Sequence, residues 1–191
     1  MLDLVPAARA FALPYYAEPH RAYHTAAHVE AMLEALRVRR ALTPTLELAA
    51  WGHDLIYDPR ATDNEARSAD VFGAWLTANG APAPLAEEVR ALILATTHDA
   101  PPCSLAAALF VDADLSVFGA DEQAFWAYER HIRQEYVQVP WLVYRTARMR
   151  VLRQFLDREP LYRTPAFADL EVPARVHLRA ALGALRRRWR A

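Results

Sequence analysis

Thirteen prolines cut the 191-residue chain into segments, and within those segments apolar residues recur at helical spacing. No run of β-branched residues alternates with polar ones, as a half-buried strand would require. Ala31, Leu33 and Leu36 mark a stretch that closes near Pro44. Leu46, Leu48, Ala49 and Ile56 continue after it, with Thr43 placed to cap the new helix and Pro44 in its first turn. The spacing predicts further helices from Asn64 to Ala78, stopped by Asn79-Gly80, and from Pro84 to Thr97. Ser104 to Val111 is almost wholly apolar and reads as a central helix. Glu122–Tyr136, Trp141–Leu156 and Pro173–Trp189 complete an all-α helical bundle, and the length favours one domain over residues 1–191.

Composition removes several function classes. All 22 basic residues are arginine, so neither a Schiff base nor a lysine general base is available. The single cysteine, Cys103, rules out an intrachain disulfide, a thiolate zinc knuckle and a protein-ligated iron–sulfur cluster. It is expected to be a small buried or half-buried side chain. One cysteine among seven histidines fits a reducing compartment, and the expected location is cytoplasmic. The start, MLDLVPAARAFALP, lacks the basic cap and apolar run of a signal peptide. The longest apolar stretch, Leu105 to Val111, is far short of the roughly 20 residues that span a bilayer, so no membrane role is expected. A net charge of −1 argues against nucleic-acid binding. The basic end Arg186-Arg187-Arg188 with Trp189-Arg190 reads as cations at a helix C-terminus. Trp51, Trp75, Trp126 and Phe118 read as core, and His20, His131 and His177 fall in no motif. Oligomeric state is not legible.

The residues that carry chemistry lie in the first 114 positions: His24, His28, the pair His53-Asp54, Glu65, His98, Asp112 and Asp114. Imidazole and carboxylate together suit divalent ions such as Mn, Fe, Co, Ni, Zn or Mg. Histidines four apart on a helix share a face, so His24 and His28 can address one site. His53 and Asp54, as helical neighbours, diverge by about 100°, so one ion reaches both only from between their directions. Trp51, Leu55 and Ile56 surround the pair with apolar groups, and a carboxylate there is costly unless a cation neutralises it. Each motif alone has a structural explanation. A buried hydrogen-bonded pair would account for His53-Asp54, helix caps before Leu115 for Asp112 and Asp114, and a dipole-favoured first-turn acid for Glu65. Asp58, Asp63 and Asp99 read as turn and cap residues around Pro59 and Pro101-Pro102.

Taken together, the order His…His-Asp…Asp resembles the HD-domain metal-dependent phosphohydrolases. Tyr23-His24-Thr25-Ala26-Ala27-His28-Val29 is similar to the YHxxxHV element of their cyclic nucleotide phosphodiesterase branch. The run from Trp51-Gly52-His53-Asp54 to Asp58-Pro59 resembles the HD helix of a smaller bacterial branch of about this length. So do the stretches Asp63 to Ala69, Asp112 to Ser116 and Arg133 to Tyr136, and the tail at Glu171, Ala174-Arg175 and Leu178. The resemblance runs from about His20 to Leu178 and implies an HD-domain helical bundle. Its metal-binding core would span about 20–115, with C-terminal helices of about 121–191 packed on it. It places His28, His53 and Asp54 as metal ligands and His24 as proton donor. The last ligand is usually the second acid of a DxD pair, here Asp114. Asp112 lies about 200° away on a helix and becomes a supporting or capping residue. Relatives place a histidine near substrate or a second metal at the position of His98. The further His-His pair of two-metal enzymes is missing between His98 and Asp114, so one metal is expected.

The reaction implied is hydrolysis of a phosphate ester of a small metabolite, a nucleotide first among them. A hydroxide on the metal attacks phosphorus, and His24 protonates the leaving oxygen. Glu65 orients the attacking water or holds a substrate hydroxyl, and Arg21, Arg60 and Arg67 are the guanidiniums nearest in sequence for the phosphate. The competing expectation is a regulatory HD module that binds metal or ligand without turnover.

Overall fold

The computed structural model describes residues 4–187, so Arg188, Trp189 and Arg190 of the basic end lie outside the described residues. Among these residues the secondary structure is helical, with no strand. The chain divides into two compact units, Met1–Asp114 and Leu115–Ala191.

The first unit holds α1 (Leu4–Tyr16), α2 (Ala26–Val38), α3 (Pro44–Gly52), α4 (Asn64–Ala78), α5 (Ala83–Ala95) and α6 (Leu105–Asp114). Thr43 caps α3 as its spacing predicts, its hydroxyl accepting from Leu46 N–H at 3.2 Å, with Pro44 at the first position. Leu46, Leu48, Ala49, Ala50, Trp51 and Gly52 are all buried, and the polar residues Thr45 and Glu47 are confined to the first turn of α3. A helix so largely apolar belongs in the middle of a core, and α3 packs against α1, α2, α4, α5 and α6. Helix α1 was not expected from the sequence, because Pro6 and Pro14 read as breaks. Pro6 falls in the first turn, where its missing N–H has no partner to lose, and Pro14 falls in the last. The signal in the sequence is Ala8, Ala12 and Tyr16, buried at four-residue spacing. Helix α1 packs on α3, and the Tyr16 hydroxyl donates to the Trp51 carbonyl at 3.2 Å.

The apolar run that reads as one helix through Ile56 stops at Gly52, earlier than its composition suggests. Leu55 is nonetheless fully buried. The turn after α3 is tied to α4 by Ser68, whose hydroxyl accepts from Ile56 N–H at 2.9 Å. Asp58 and Asn64 brace the following loop through bonds between side chain and backbone in both residues.

The second unit holds a 3₁₀ turn (Leu115–Gly119), α7 (Glu122–Glu135), α8 (Trp141–Leu156), a second 3₁₀ turn (Pro165–Leu170) and α9 (Glu171–Arg187). Asp121 caps α7 by accepting from Ala124 N–H at 2.8 Å. Glu171 opens α9 and accepts from Leu161 and Tyr162 N–H, while Arg175 bonds Glu171 and the carbonyls of Leu156 and Arg158. Arg148 is buried in an ion pair with Glu129 that the Tyr128 hydroxyl joins, an arrangement that sequence reading missed.

Trp51 and Phe118 are buried as expected, whereas Trp75 and Trp126 are only half-buried. Cys103 is exposed, contrary to expectation, because it precedes α6 in the Pro101–Ser104 connection and not in a packed element. No helix among the described residues is long and apolar enough to cross a membrane.

Candidate metal centre

The site is assembled from three places in the first unit: the first turns of α2, the end of α3 and the end of α6. His28 is buried one turn into α2. His24 is not on that helix. Thr25 is the N-cap, so His24 lies on irregular backbone, and the expected helical pairing of His24 with His28 does not arise. The two rings still approach, with centroids 6.0 Å apart.

The His53-Asp54 puzzle is resolved by the early end of α3. His53 caps α3 with helical dihedrals of −68° and −41°, and turns and bends follow it. Gly52 lets the end of the helix pack closely. A Cβ there would stand 2.5 Å from Cδ1 of Phe72 and 2.9 Å from Cδ1 of Ile93, so only glycine lets the end of α3 close onto α4 and α5. His53 Nδ1 lies 2.8 Å from the Ala50 carbonyl. A carbonyl only accepts, so Nδ1 carries a proton, and Nε2 is the nitrogen that an ion would bind once the ring is neutral. Metal-ligating histidines have their second nitrogen fixed in this way.

His28 Nε2 lies 3.2 Å from His53 Nε2 and 3.1 Å from Asp114 Oδ1, and His53 Nε2 lies 3.9 Å from the same oxygen. Asp54 Oδ2 is 2.9 Å from His53 Nε2 and 3.8 Å from His28 Nε2. Donors that share an ion at about 2.1 Å stand ~3.0–3.4 Å from one another at tetrahedral or octahedral angles. Three of the five separations, 2.9, 3.1 and 3.2 Å, are close to that size, and the other two, 3.8 and 3.9 Å, are longer. His28, His53 and Asp114 offer ligand atoms all within 4.8 Å of one another, a group that could hold a metal ion. Asp54, expected as a ligand, is not in that group, and neither is Asp112, which is fully buried on α6.

Electrostatics point the same way. Burial by itself would depress the His53 pKa, but the adjoining Asp54 charge and hydrogen bond, with Asp114 behind them, push it up to about 9. Burial would raise both carboxylates, yet His53 and then His24 hold Asp54 well below the usual range. Hydrogen bonds from His28 and His98 do the same for Asp114. The centre therefore pairs two ionised carboxylates with the imidazoles around them, and a divalent ion would take over that countercharge on binding.

Around this core the structure brings in three expected residues. His98 Nε2 stands 3.2 Å from Asp114 Oδ2, so Asp114 turns one oxygen to His28 and the other to His98. His98 has a positive φ of 59°, a conformation that costs a non-glycine residue about 1 kcal/mol or more. The Glu65 carboxyl is half-buried in the first turn of α4. Its pKa is raised by burial and further by Asp54 and Asp114, with His98 opposing, so it lies within electrostatic reach of the centre. The His24 ring stacks on Tyr57 at a centroid distance of 4.2 Å, and its charge registers on Asp54.

The arginines do not follow expectation together. Arg60 is exposed on the loop before α4, and Arg67 is half-exposed and faces Asp63 at 3.9 Å. The Arg21 side chain is wholly buried, with its N–H groups directed at the Glu18 carboxylate and at the carbonyls of His24, Asp54 and Leu55. Its expected place as a phosphate ligand is corrected to a brace within the frame, because its donors already have protein acceptors. Glu18, Tyr57 and Ser68 are further parts of the site that sequence reasoning missed. The one signal was Ser68, a serine beside Ala69 and Phe72 on the buried face of α4. His20 bonds the Tyr57 carbonyl at 2.8 Å, and His177 bonds the Phe118 carbonyl at 2.9 Å, so both are structural.

The chain matches no family model, no curated protein and no solved structure.

Proposed function

We propose that the chain is a metal-dependent phosphohydrolase of the HD-domain type, cleaving a phosphate ester of a small metabolite, with nucleotides the first class to test. The observation that carries this reading is the group of His28, His53 and Asp114 ligand atoms, with the Asp54 carboxylate against His53 and the His24 ring beside His28. A structural ion would need only the ligands. A second imidazole, stacked on Tyr57, and a half-buried carboxyl with a raised pKa are the parts that acid–base chemistry needs.

The divalent ion, when bound, supplies Lewis acidity toward water and a phosphoryl oxygen. His28, His53 and Asp114, with Asp54, would hold it, and the Ala50 carbonyl fixes His53 through Nδ1 so that Nε2 is the nitrogen left for the ion. His24 carries a proton and delivers it to the departing ester oxygen. Glu65 accepts a hydrogen bond from the attacking water. Its raised pKa brings it closer to the working pH of a general base. Arg60 is exposed on the loop after the His53-Asp54 turn and is the guanidinium assigned in this reading to the phosphate dianion.

The test is metal content by elemental mass spectrometry for wild type and Asp54→Ala, followed by a screen of phosphate esters with the metal found. Near-stoichiometric transition metal in wild type, lost in the variant, with turnover of a phosphomonoester or nucleotide, is the expected result. Metal without turnover would leave a regulatory binding module. No metal after reconstitution with Mn, Fe, Co, Ni and Zn would overturn the reading.

A further inference from the structure

We infer that Arg21, held by Glu18, is a positioning residue that registers the loop carrying His24 against the turn carrying Asp54. The inference rests on the site as read under Proposed function and adds to it how the proton donor is kept in place.

His24 precedes α2, so helix geometry does not fix its position. Asp54 follows α3, so its backbone has also left the helix. One side chain spans these two irregular segments. Arg21 Nη1 donates to the His24 carbonyl at 3.1 Å and to the Asp54 carbonyl at 2.7 Å, and Nη2 donates to the Leu55 carbonyl at 2.9 Å. Nε donates to Glu18 Oε2 at 2.9 Å, which supplies the countercharge that a buried cation needs. The planar fork of five N–H donors is what reaches three carbonyls and a carboxylate at once. A lysine ammonium has three donors on one atom and cannot bridge the same span.

The aromatic faces complete the brace. The guanidinium carbon sits 5.3 Å from the Tyr16 ring centre and 5.5 Å from that of Tyr57. Tyr57 in turn stacks on His24, and its carbonyl accepts from His20 Nε2. Arg21 thus acts on His24 along two routes, through its backbone carbonyl and through the ring on which its imidazole rests. It acts on Asp54 through the backbone that aims the carboxylate.

The experiment compares Arg21→Gln and Arg21→Lys with wild type and with Leu76→Ala, a buried truncation in α4 that controls for thermal loss alone. Two quantities are read: cobalt affinity by chelator competition, and the paramagnetic shift of the His24 ring protons in the cobalt-loaded protein. Arg21→Gln is expected to weaken cobalt binding by about tenfold or more, as loss of an outer-shell support does. It is also expected to move the His24 shift, with Arg21→Lys failing to rescue either. In Arg21→Ala, millimolar guanidinium should restore affinity where methylammonium does not. Should these variants fail to fold, Glu18→Gln keeps the guanidinium and should still shift His24. An unmoved His24 shift, or an affinity loss no larger than that of Leu76→Ala, overturns the positioning role while leaving the metal site intact. A wild type that takes up no cobalt overturns the site and this role together.

Discussion

His53 and Asp54 are consecutive residues, yet their side chains meet, Nε2 to Oδ2, at 2.9 Å. They can do so because the helix ends between Gly52 and the turn that follows, and Gly52 is what brings that end against Phe72 and Ile93. Gly52→Ala should therefore destabilise the protein by about 1–3 kcal/mol through overpacking, although alanine is the better helix former. Urea unfolding measures this, and Ile93→Val added to Gly52→Ala should recover part of the loss. A Gly52→Ala protein as stable as wild type would show that the close approach is not needed.

Metal uptake should depend on pH through His53. Burial lowers its pKa, but Asp54 outweighs burial and holds it at about 9. The ion requires the neutral ring, so binding displaces a proton, and apparent affinity should climb about tenfold per pH unit from neutrality until it flattens near 9. In the metal-free protein the sign is opposite. The raised pKa gives stability that is complete below the ordinary 6.5 and is lost as pH rises through about 9. Chelator competition and urea unfolding across that range read the two trends, and a flat affinity profile would contradict the first.

His24→Ala should retain the metal and lose the proton delivery. Turnover of an ester with a poor leaving group should fall by roughly 10²–10⁴, while an aryl phosphate with a good leaving group falls far less. Equal losses on both substrates would assign His24 to binding instead.

In the second unit, Glu171 accepts backbone N–H bonds from Leu161 and Tyr162 and pairs with Arg175. Burial raises its pKa, but these bonds prevail and lower it overall. A lowered folded pKa contributes stability above the ordinary carboxylate range that is lost as pH falls through the folded value. Glu171→Gln should cost about 1–2 kcal/mol at neutral pH, and the gap should close in acid. A gap of constant size would mean that charge is not involved.

The helices were legible in the sequence because their faces are apolar at fixed spacing. Thr43-Pro44 and Asn79-Gly80 mark a start and a stop that the structure reproduces. Helix α1 was hidden by two prolines at positions where proline does little harm. The end of α3 was hidden because Leu55 remains buried after the helix has stopped, so composition carries no trace of the turn. Within the site, residue type marked His28, His53, Asp54 and Asp114, since few roles explain such groups among buried apolar neighbours. The place of Arg21 was not legible. Its partners are mostly backbone carbonyls, which every residue possesses and no sequence pattern distinguishes. Cys103 was misread for a related reason: its exposure follows from the path of a connection, not from its own chemistry.

Helix α3 touches every other helix of its unit and delivers His53 from its final turn. Opening the chain enough to uncover that imidazole means separating the whole six-helix assembly, not fraying a loop. Amide exchange along Leu48 to Trp51 should accordingly be governed by the global unfolding of that unit. Where the solvent path is closed, an ion seated there leaves only when the unit itself comes apart, and kinetic retention of metal and kinetic persistence of the fold then become the same property.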